Sequence, residues 1–427
     1  MKKLSPFIWS LLLFGILYSC NPVEIKTGYN PITQELIELL NTNPEVNDLL
    51  RSSIEHARRV NPDPKTNPVQ SLDHYFDFVS RTENGMPWSL YEKKDSIEVY
   101  SDISKSLRYF YFLINQPLPE LEGKGLYDNT IQYSEPFATW LTKFNKHWGH
   151  YLSSEDSWNE TYYQMAKSDT LFGLSSTWYE DPSNWKSFND FFARKLRSPE
   201  ERPITAPEDN QIVSSSADSR PIGSWKIDDK SVIISENGIP VKSATFRSVS
   251  KLIGEESPYA EAFKNGTYIH SFLAINDYHR YHFPLSGVIK EVSLIQGLGV
   301  AGGTLNWDAQ NLRYAYNPTG IDWQMLETRG CIILETREFG LVALIPVGMA
   351  TISSVNFEES VKVGTYVKKG DPLGYFLFGG SDFVMLFQEH VEFILDAPKM
   401  EGGSGYQHRL MGERIGFLSL KKEELQN

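Results

Sequence analysis

The chain has 427 residues, 41% of them apolar and 13% aromatic, enough to bury the cores of two or three domains, which excludes global disorder. Its 54 acidic against 41 basic side chains give a formal charge of −13, so the broad basic footprint of a nucleic-acid binder is absent. The two cysteines, Cys20 and Cys331, cannot build a disulfide scaffold or a zinc finger.

The chain opens with Lys2 and Lys3 and an apolar run from Phe7 to Leu17. That run is too short for a spanning helix of about 20 residues, and it matches a secretory signal over 1–19. It ends in Leu17, Tyr18, Ser19 and Cys20, which resembles the bacterial lipobox, where the cysteine is acylated and becomes the mature N-terminus. Tyr18 is bulkier than the residue usual there. Acylation of Cys20 with more than one chain implies stable anchoring, and hence an exported bacterial lipoprotein on the periplasmic or outer side of a membrane. Residues 20–32 read as a tether.

Residues 33–185 read as a helical N-terminal domain. Asn43 and Pro44 form an N-cap and first-turn proline, followed by Val46, Leu49, Leu50, Ile54 and Ala57 at helical spacing. A second stripe, Phe137, Trp140, Leu141, Phe144, Trp148, Tyr151 and Leu152, has core spacing, and core packing outweighs a ligand surface. From about residue 210 the texture changes to short β-branched runs between turn residues, at Ser231–Ile234, Gly287–Val292, Cys331–Leu334 and Leu341–Ile345. The second half therefore reads as β-rich, and the fold class as α+β.

Three places in that half can carry chemistry. His279 and His282 lie in Tyr278–Pro284, three residues apart, and as metal ligands they lack a third partner at a recognisable spacing. A pair of surface histidines is the plain alternative. Asp218 follows Ser214, Ser215, Ser216 and Ala217, where a lone Asp is ordinarily a turn former. Gly379, Gly380 and Ser381 interrupt two strongly apolar runs, Tyr375–Phe378 and Phe383–Phe387, whereas the same tripeptide at Gly402–Ser404 has polar neighbours. An Asp, a His and a Ser can together activate a hydroxyl nucleophile, but no GxSxG elbow supports a hydrolase.

These blocks, in this order, resemble the pyruvoyl-dependent phosphatidylserine decarboxylases. Phe188 to Leu196 with Arg202, Pro203 and Ile204 is similar to the family's entry segment. Val213 to Asp218 is similar to its SPADG element, and Asp277 to Pro284 with Ser286 and Gly287 to its most specific block. Gly340 to Gly348, Lys369 to Phe376 and finally Phe378 to Ser381 follow. Two positions depart: Ser219 stands where a glycine is expected, and Asp382 where a Thr or Ser usually follows the cleavage serine. The N-terminal helical region and Phe172 to Leu174 resemble the extension of the branch containing fungal tryptophan decarboxylases.

The resemblance implies a β-rich catalytic domain over 186–427 with a barrel-like sandwich core, cut by the chain itself between Gly380 and Ser381. His282, oriented by Asp218, would take the proton from Ser381, whose oxygen attacks the Gly380 carbonyl. Residue 381 would become a pyruvoyl cofactor, with no PLP and no metal. His279, near the substrate, would supply a proton after decarboxylation through a Schiff base. The implied reaction is phosphatidylserine to phosphatidylethanolamine plus CO2. A free (aromatic) amino acid such as tryptophan is the alternative substrate. The expected partners are that substrate, a membrane reached through Cys20, the two self-cleaved chains for each other, and a second copy of the chain in a possible homo-oligomer. A rival reading takes Val361 to Gly374 as similar to the turn of lipoyl and biotinyl carriers, in a non-catalytic binding protein.

Overall fold

The computed structural model describes residues 28–90, 97–234, 248–317, 322–351, 354–401 and 405–421. The signal, Cys20 and most of the tether lie outside the described residues, as does the Gly402–Ser404 tripeptide.

Six helices come first: α1 (Pro31–Thr42), α2 (Pro44–Val60), α3 (Leu72–Thr82), α4 (Val99–Ile114), α5 (Phe137–Leu152) and α6 (Glu160–Ser168), with the short α7 (Phe188–Phe192) and α8 (Val249–Ile253) later. Helix α2 starts at Pro44 as its sequence predicts. The expected side-chain cap from Asn43 is not made: its amide instead donates to the Leu39 carbonyl at 2.8 Å. With one residue between the two helices, Asn43 closes the carbonyl end of α1 rather than the amide end of α2. Helix α4 stops just before Pro117, which bars the preceding residue from helical geometry. The stripe on α5 is core, with Trp140, Phe144 and Trp148 all buried. The two indole N–H groups are satisfied by the carbonyls of Ile32 and Gly85.

The strands are β1 (Ile212–Ser214), β2 (Arg220–Ile227), β3 (Ile233–Ile234), β4 (Thr267–Leu273), β5 (Arg280–His282), β6 (Gly287–Ile295), β7 (Thr304–Asp308), β8 (Arg313–Asn317), β9 (Thr328–Thr336), β10 (Gly340–Met349), β11 (Asn356–Phe357), β12 (Tyr366–Val367), β13 (Pro372–Tyr375), β14 (Gly380–Phe387), β15 (Val391–Leu395) and β16 (Arg414–Leu420). Eight of them form one sheet in the order β12-β6-β9-β10-β14-β4-β2-β3, and β11-β13-β5 and β1-β16-β15 form smaller ones. The division into a helical first part and a β-rich second part is as the sequence predicts. The large sheet, however, stays open, with β12 and β3 at its edges, rather than closing into a barrel.

Both faces of this sheet are covered, which is why Leu341–Ile345 on β10 reads as a continuous apolar run and not an alternating one. Along β14 the faces separate by parity. Phe383, Met385 and Phe387 enter one core with the smaller sheets, while Val384 and Leu386 enter the core built with the helices. Trp148 meets Phe378 edge-on at 5.8 Å, and Asn61 donates to the Tyr314 hydroxyl at 2.9 Å. The helical part is thus joined to the β-rich part by a shared interior.

Candidate active site

Ser381 sits at the start of β14, a central strand paired with both β10 and β4. Its side chain is fully buried, and its hydroxyl lies 3.1 Å from Nδ1 of His279. The other ring nitrogen of His279 is 3.3 Å from the Ile275 carbonyl. A carbonyl only accepts, so Nε2 carries the proton and Nδ1 presents its lone pair to the serine. Phe192 stacks on the imidazole with ring centroids 3.8 Å apart. Burial, helped by the nearby Arg194 cation, lowers the His279 pKa to about 3. The ring is therefore neutral at ordinary pH, the form a proton acceptor requires.

The loop bearing His279 is held from α7 and beyond. Arg194 is fully buried, donates to the carbonyls of Asn276 and Asp277 at 2.9 and 3.1 Å, and lies over the Tyr179 ring at 4.4 Å. Helix α7 itself starts in a capping box in which the Ser187 hydroxyl accepts from Asp190 N and the Asp190 carboxylate accepts from Ser187 N. Asn189 accepts from the Phe378 amide at 2.9 Å, which ties this helix to the segment entering Gly379 and Gly380.

His282 and Asp218 are placed differently from the sequence expectation. His282 has Nδ1 2.8 Å from the Gly370 carbonyl and Nε2 3.2 Å from the Tyr278 hydroxyl, so both ring nitrogens are engaged away from Ser381. Burial lowers its pKa, and Asp218 is near enough to oppose that shift. The Asp218 carboxylate is held by Arg202 through Nη2 at 2.9 Å and Nε at 3.2 Å, and by the Met411 amide at 2.8 Å. The Ser381 hydroxyl thus meets His279 rather than His282, and Asp218 orients no imidazole directly. The reason is the backbone: His282 lies on β5, paired with β13, while His279 precedes that strand in a turn closed by the Asp277 carboxylate on Ala274 N.

Both departures from the family pattern have an explanation. Ser219 pairs with Arg409 through two backbone bonds of 2.8 and 2.7 Å and is not among the described residues with positive φ, so no glycine is needed there. Asp382 points to the opposite face of β14 from Ser381, where its carboxylate meets His270 Nε2 at 2.7 Å, both fully buried. Burial raises the Asp382 pKa. Its carboxylate lies away from the Ser381 hydroxyl.

Glycine at 379 and 380 has a geometric basis. Gly379 has a φ of +151°, which side-chain-bearing residues rarely adopt. A β-carbon on Gly380 would press into Met349. Beside these glycines lies an apolar cavity of about 110 Å³, walled by Tyr100, Leu107, Arg108 and Tyr111 of α4 and by Phe272, Tyr316 and Met349 of the β-rich part.

Lys369, in the carrier-like stretch, is buried and donates to the carbonyls of Ala206, Asp209 and Ile212, a structural clamp rather than an exposed attachment point. Sequence reasoning missed Arg194, Arg202, Phe192 and His270 as parts of this constellation. The first three stand inside stretches quoted for their resemblance, but nothing in their spacing announced buried guanidinium groups or a ring stacked on an imidazole.

A family model described as phosphatidylserine decarboxylase matches residues 188–417. The chain is 31% identical over 280 residues to a phosphatidylserine decarboxylase proenzyme of Clostridium novyi, covering 64% of this chain and 84% of that one. It is 32% identical over 249 residues to phosphatidylserine decarboxylase proenzyme 2 of rice, covering 58% of this chain but spanning only 36% of the rice protein. A protein of Amanita muscaria named decarboxylase iboD is 28% identical over 277 residues, covering 59% of this chain and 77% of that one.

Proposed function

The chain belongs to the phosphatidylserine decarboxylase family, and from that premise we propose that it is a self-processing, pyruvoyl-dependent carboxy-lyase. The observation that carries this reading is the Ser381 hydroxyl at 3.1 Å from a neutral, correctly oriented His279. His279 accepts the Ser381 proton, and the freed oxygen attacks the Gly380 carbonyl, turning the peptide into an ester. Loss of the Ser381 α-proton expels residues 1–380 as a carboxylate and leaves a dehydroalanine at 381. Tautomerisation and hydrolysis of that group release ammonia and leave a ketone at the new N-terminus. The residues present fit such a group: Gly380 offers an unhindered carbonyl, and Ser381 is sealed from water until the cut. The pyruvoyl group, once made, supplies a carbonyl that takes up the substrate amine and withdraws electrons as CO2 leaves.

The chain's own residues do the rest. Phe192 and Arg194 keep His279 uncharged and in place. Strand β14 is paired on both sides in the intact chain, which supports residues 381–427 staying bound to the larger chain after the cut. Full-length protein on a denaturing gel, with mass spectrometry, is expected to show chains ending at 380 and starting at 381, and Ser381→Ala a single chain. One uncut band from the unaltered protein overturns the reading.

Phosphatidylserine is the substrate suggested by the relatives' names, giving phosphatidylethanolamine and CO2. A second reading, a free amino acid, is favoured by the size of the cavity beside Gly380 and by the α4 residues in its wall, which lie outside the matched region. Release of CO2 from carboxyl-labelled phosphatidylserine and from carboxyl-labelled L-tryptophan decides between them. The lipobox-like end of the signal supports a lipid anchor on Cys20, and intact-mass analysis of membrane fractions from the unaltered protein and Cys20→Ser tests it.

A further inference from the structure

The cavity beside Gly379 and Gly380 is apolar on nearly every side, and Arg108 of α4 is its one charged lining residue among those described. The Arg108 guanidinium donates to the Tyr314 carbonyl at 3.2 Å, and no carboxylate of the described residues forms an ion pair with it. Burial lowers its pKa and the Arg313 cation adds to that, while the groups that oppose the shift are Tyr100 and Tyr316, not an acid. Two other guanidinium groups meet a carboxylate, Arg202 with Asp218 and Arg280 with Glu358, and the buried Arg194 and Arg329 are instead surrounded by three backbone carbonyls each, whereas Arg108 meets one. A cation in an apolar recess is costly without a counter-ion. A site that opens on the scissile bond is where a substrate could supply one.

We propose that Arg108 is a substrate-binding residue of this enzyme, pairing with an anionic group of the amine-bearing acid that occupies the cavity. The proposal rests on the carboxy-lyase reading above and adds to it a specificity element from the helical region, which the family match does not reach. Two sources can provide the anion: the carboxylate of a free amino acid, or the phosphodiester of a serine phospholipid head group. They differ in what decarboxylation leaves, since the amine from a free amino acid has lost its anion and the product of the phospholipid has kept one.

The experiment measures binding by calorimetry in the uncut Ser381→Ala background, where no covalent capture of amine occurs, so its outcome is independent of self-processing. The probes are L-phenylalanine with phenethylamine, and glycerophosphoserine with glycerophosphoethanolamine. Arg108→Gln is expected to weaken at least one acid by about tenfold or more, the scale of a charge-assisted hydrogen bond, with partial recovery in Arg108→Lys. If the carboxylate is the partner, phenethylamine binding does not change. If the phosphodiester is the partner, both glycerophospho compounds weaken alike. Unchanged affinity for all four probes, or absence of binding by any of them, overturns the proposal. A failure of the unaltered protein to cut itself counts against the carboxy-lyase reading alone.

Discussion

The Ser381 hydroxyl is 3.1 Å from Nδ1 of His279, while His282, three residues further on, binds the Gly370 carbonyl and the Tyr278 hydroxyl with its two ring nitrogens. The two histidines of one motif thus have different partners, one from a turn and one from strand β5. His279→Ala is expected to leave the chain uncut on a denaturing gel, because the proton acceptor is gone. His282→Ala is expected to cut, more slowly where the β5–β13 pairing loosens. The reverse pattern would move the base to His282, with Asp218 behind it.

The depressed pKa of His279 makes a prediction about acid stability. In the unfolded chain the imidazole protonates near 6.5, whereas in the fold burial holds it neutral down to about 3. Between those values the unfolded state binds the additional proton, so stability falls as pH drops below about 6.5. The slope contributed is about 1.4 kcal/mol per pH unit once the unfolded imidazole is charged. Urea unfolding of Ser381→Ala and of Ser381→Ala/His279→Gln between pH 7 and 4.5 checks this. The second variant should be less pH-dependent by about one proton.

Asp218 and Arg202 form a two-pronged pair with both side chains buried. Removing one partner strands the other, which typically costs 3–5 kcal/mol. Asp218→Ala is therefore expected to lower the unfolding free energy by about that amount. Replacing both, as Asp218→Leu with Arg202→Met, should restore most of it. Urea melts of the uncut protein measure both. If Asp218→Ala alone leaves the melt unchanged, Asp218 does not have this structural role.

Much of the architecture was legible because periodicity records burial directly. The α5 stripe and the apolar run of β10 each follow from which faces are covered. The candidate site was legible as a set of residues, since Ser381, His279, His282 and Asp218 stand in blocks whose resemblance carries them. Their partners were not legible. Which histidine reaches Ser381 depends on the turn at Ala274–Asp277 and on Arg194 clamping it, contacts between segments more than 80 residues apart. Asn43 shows the same limit locally, because a residue between two helices can cap either one and the sequence does not choose.

Asp382 gives the last prediction, because on the proposed mechanism its neighbour is the nucleophile and an adjacent negative charge would work against the cut. Successive residues of a strand point to opposite faces, and Asp382 meets His270 in the interior shared with the helices. Asp382→Thr, which restores the residue type usual in the family, is therefore expected not to accelerate self-cleavage. It removes a buried partner from His270 and should cost about 1–3 kcal/mol. His270→Phe leaves the carboxylate without its imidazole and should cost more, about 3–5 kcal/mol. Because the two side chains share one interaction, the double variant should be distinctly less destabilised than the sum of the singles. Time courses of cleavage and urea melts on the four proteins of this cycle test both halves. A several-fold faster cut in Asp382→Thr would show that the carboxylate acts on Ser381 across the strand, and additive melts would show that the pair is not coupled.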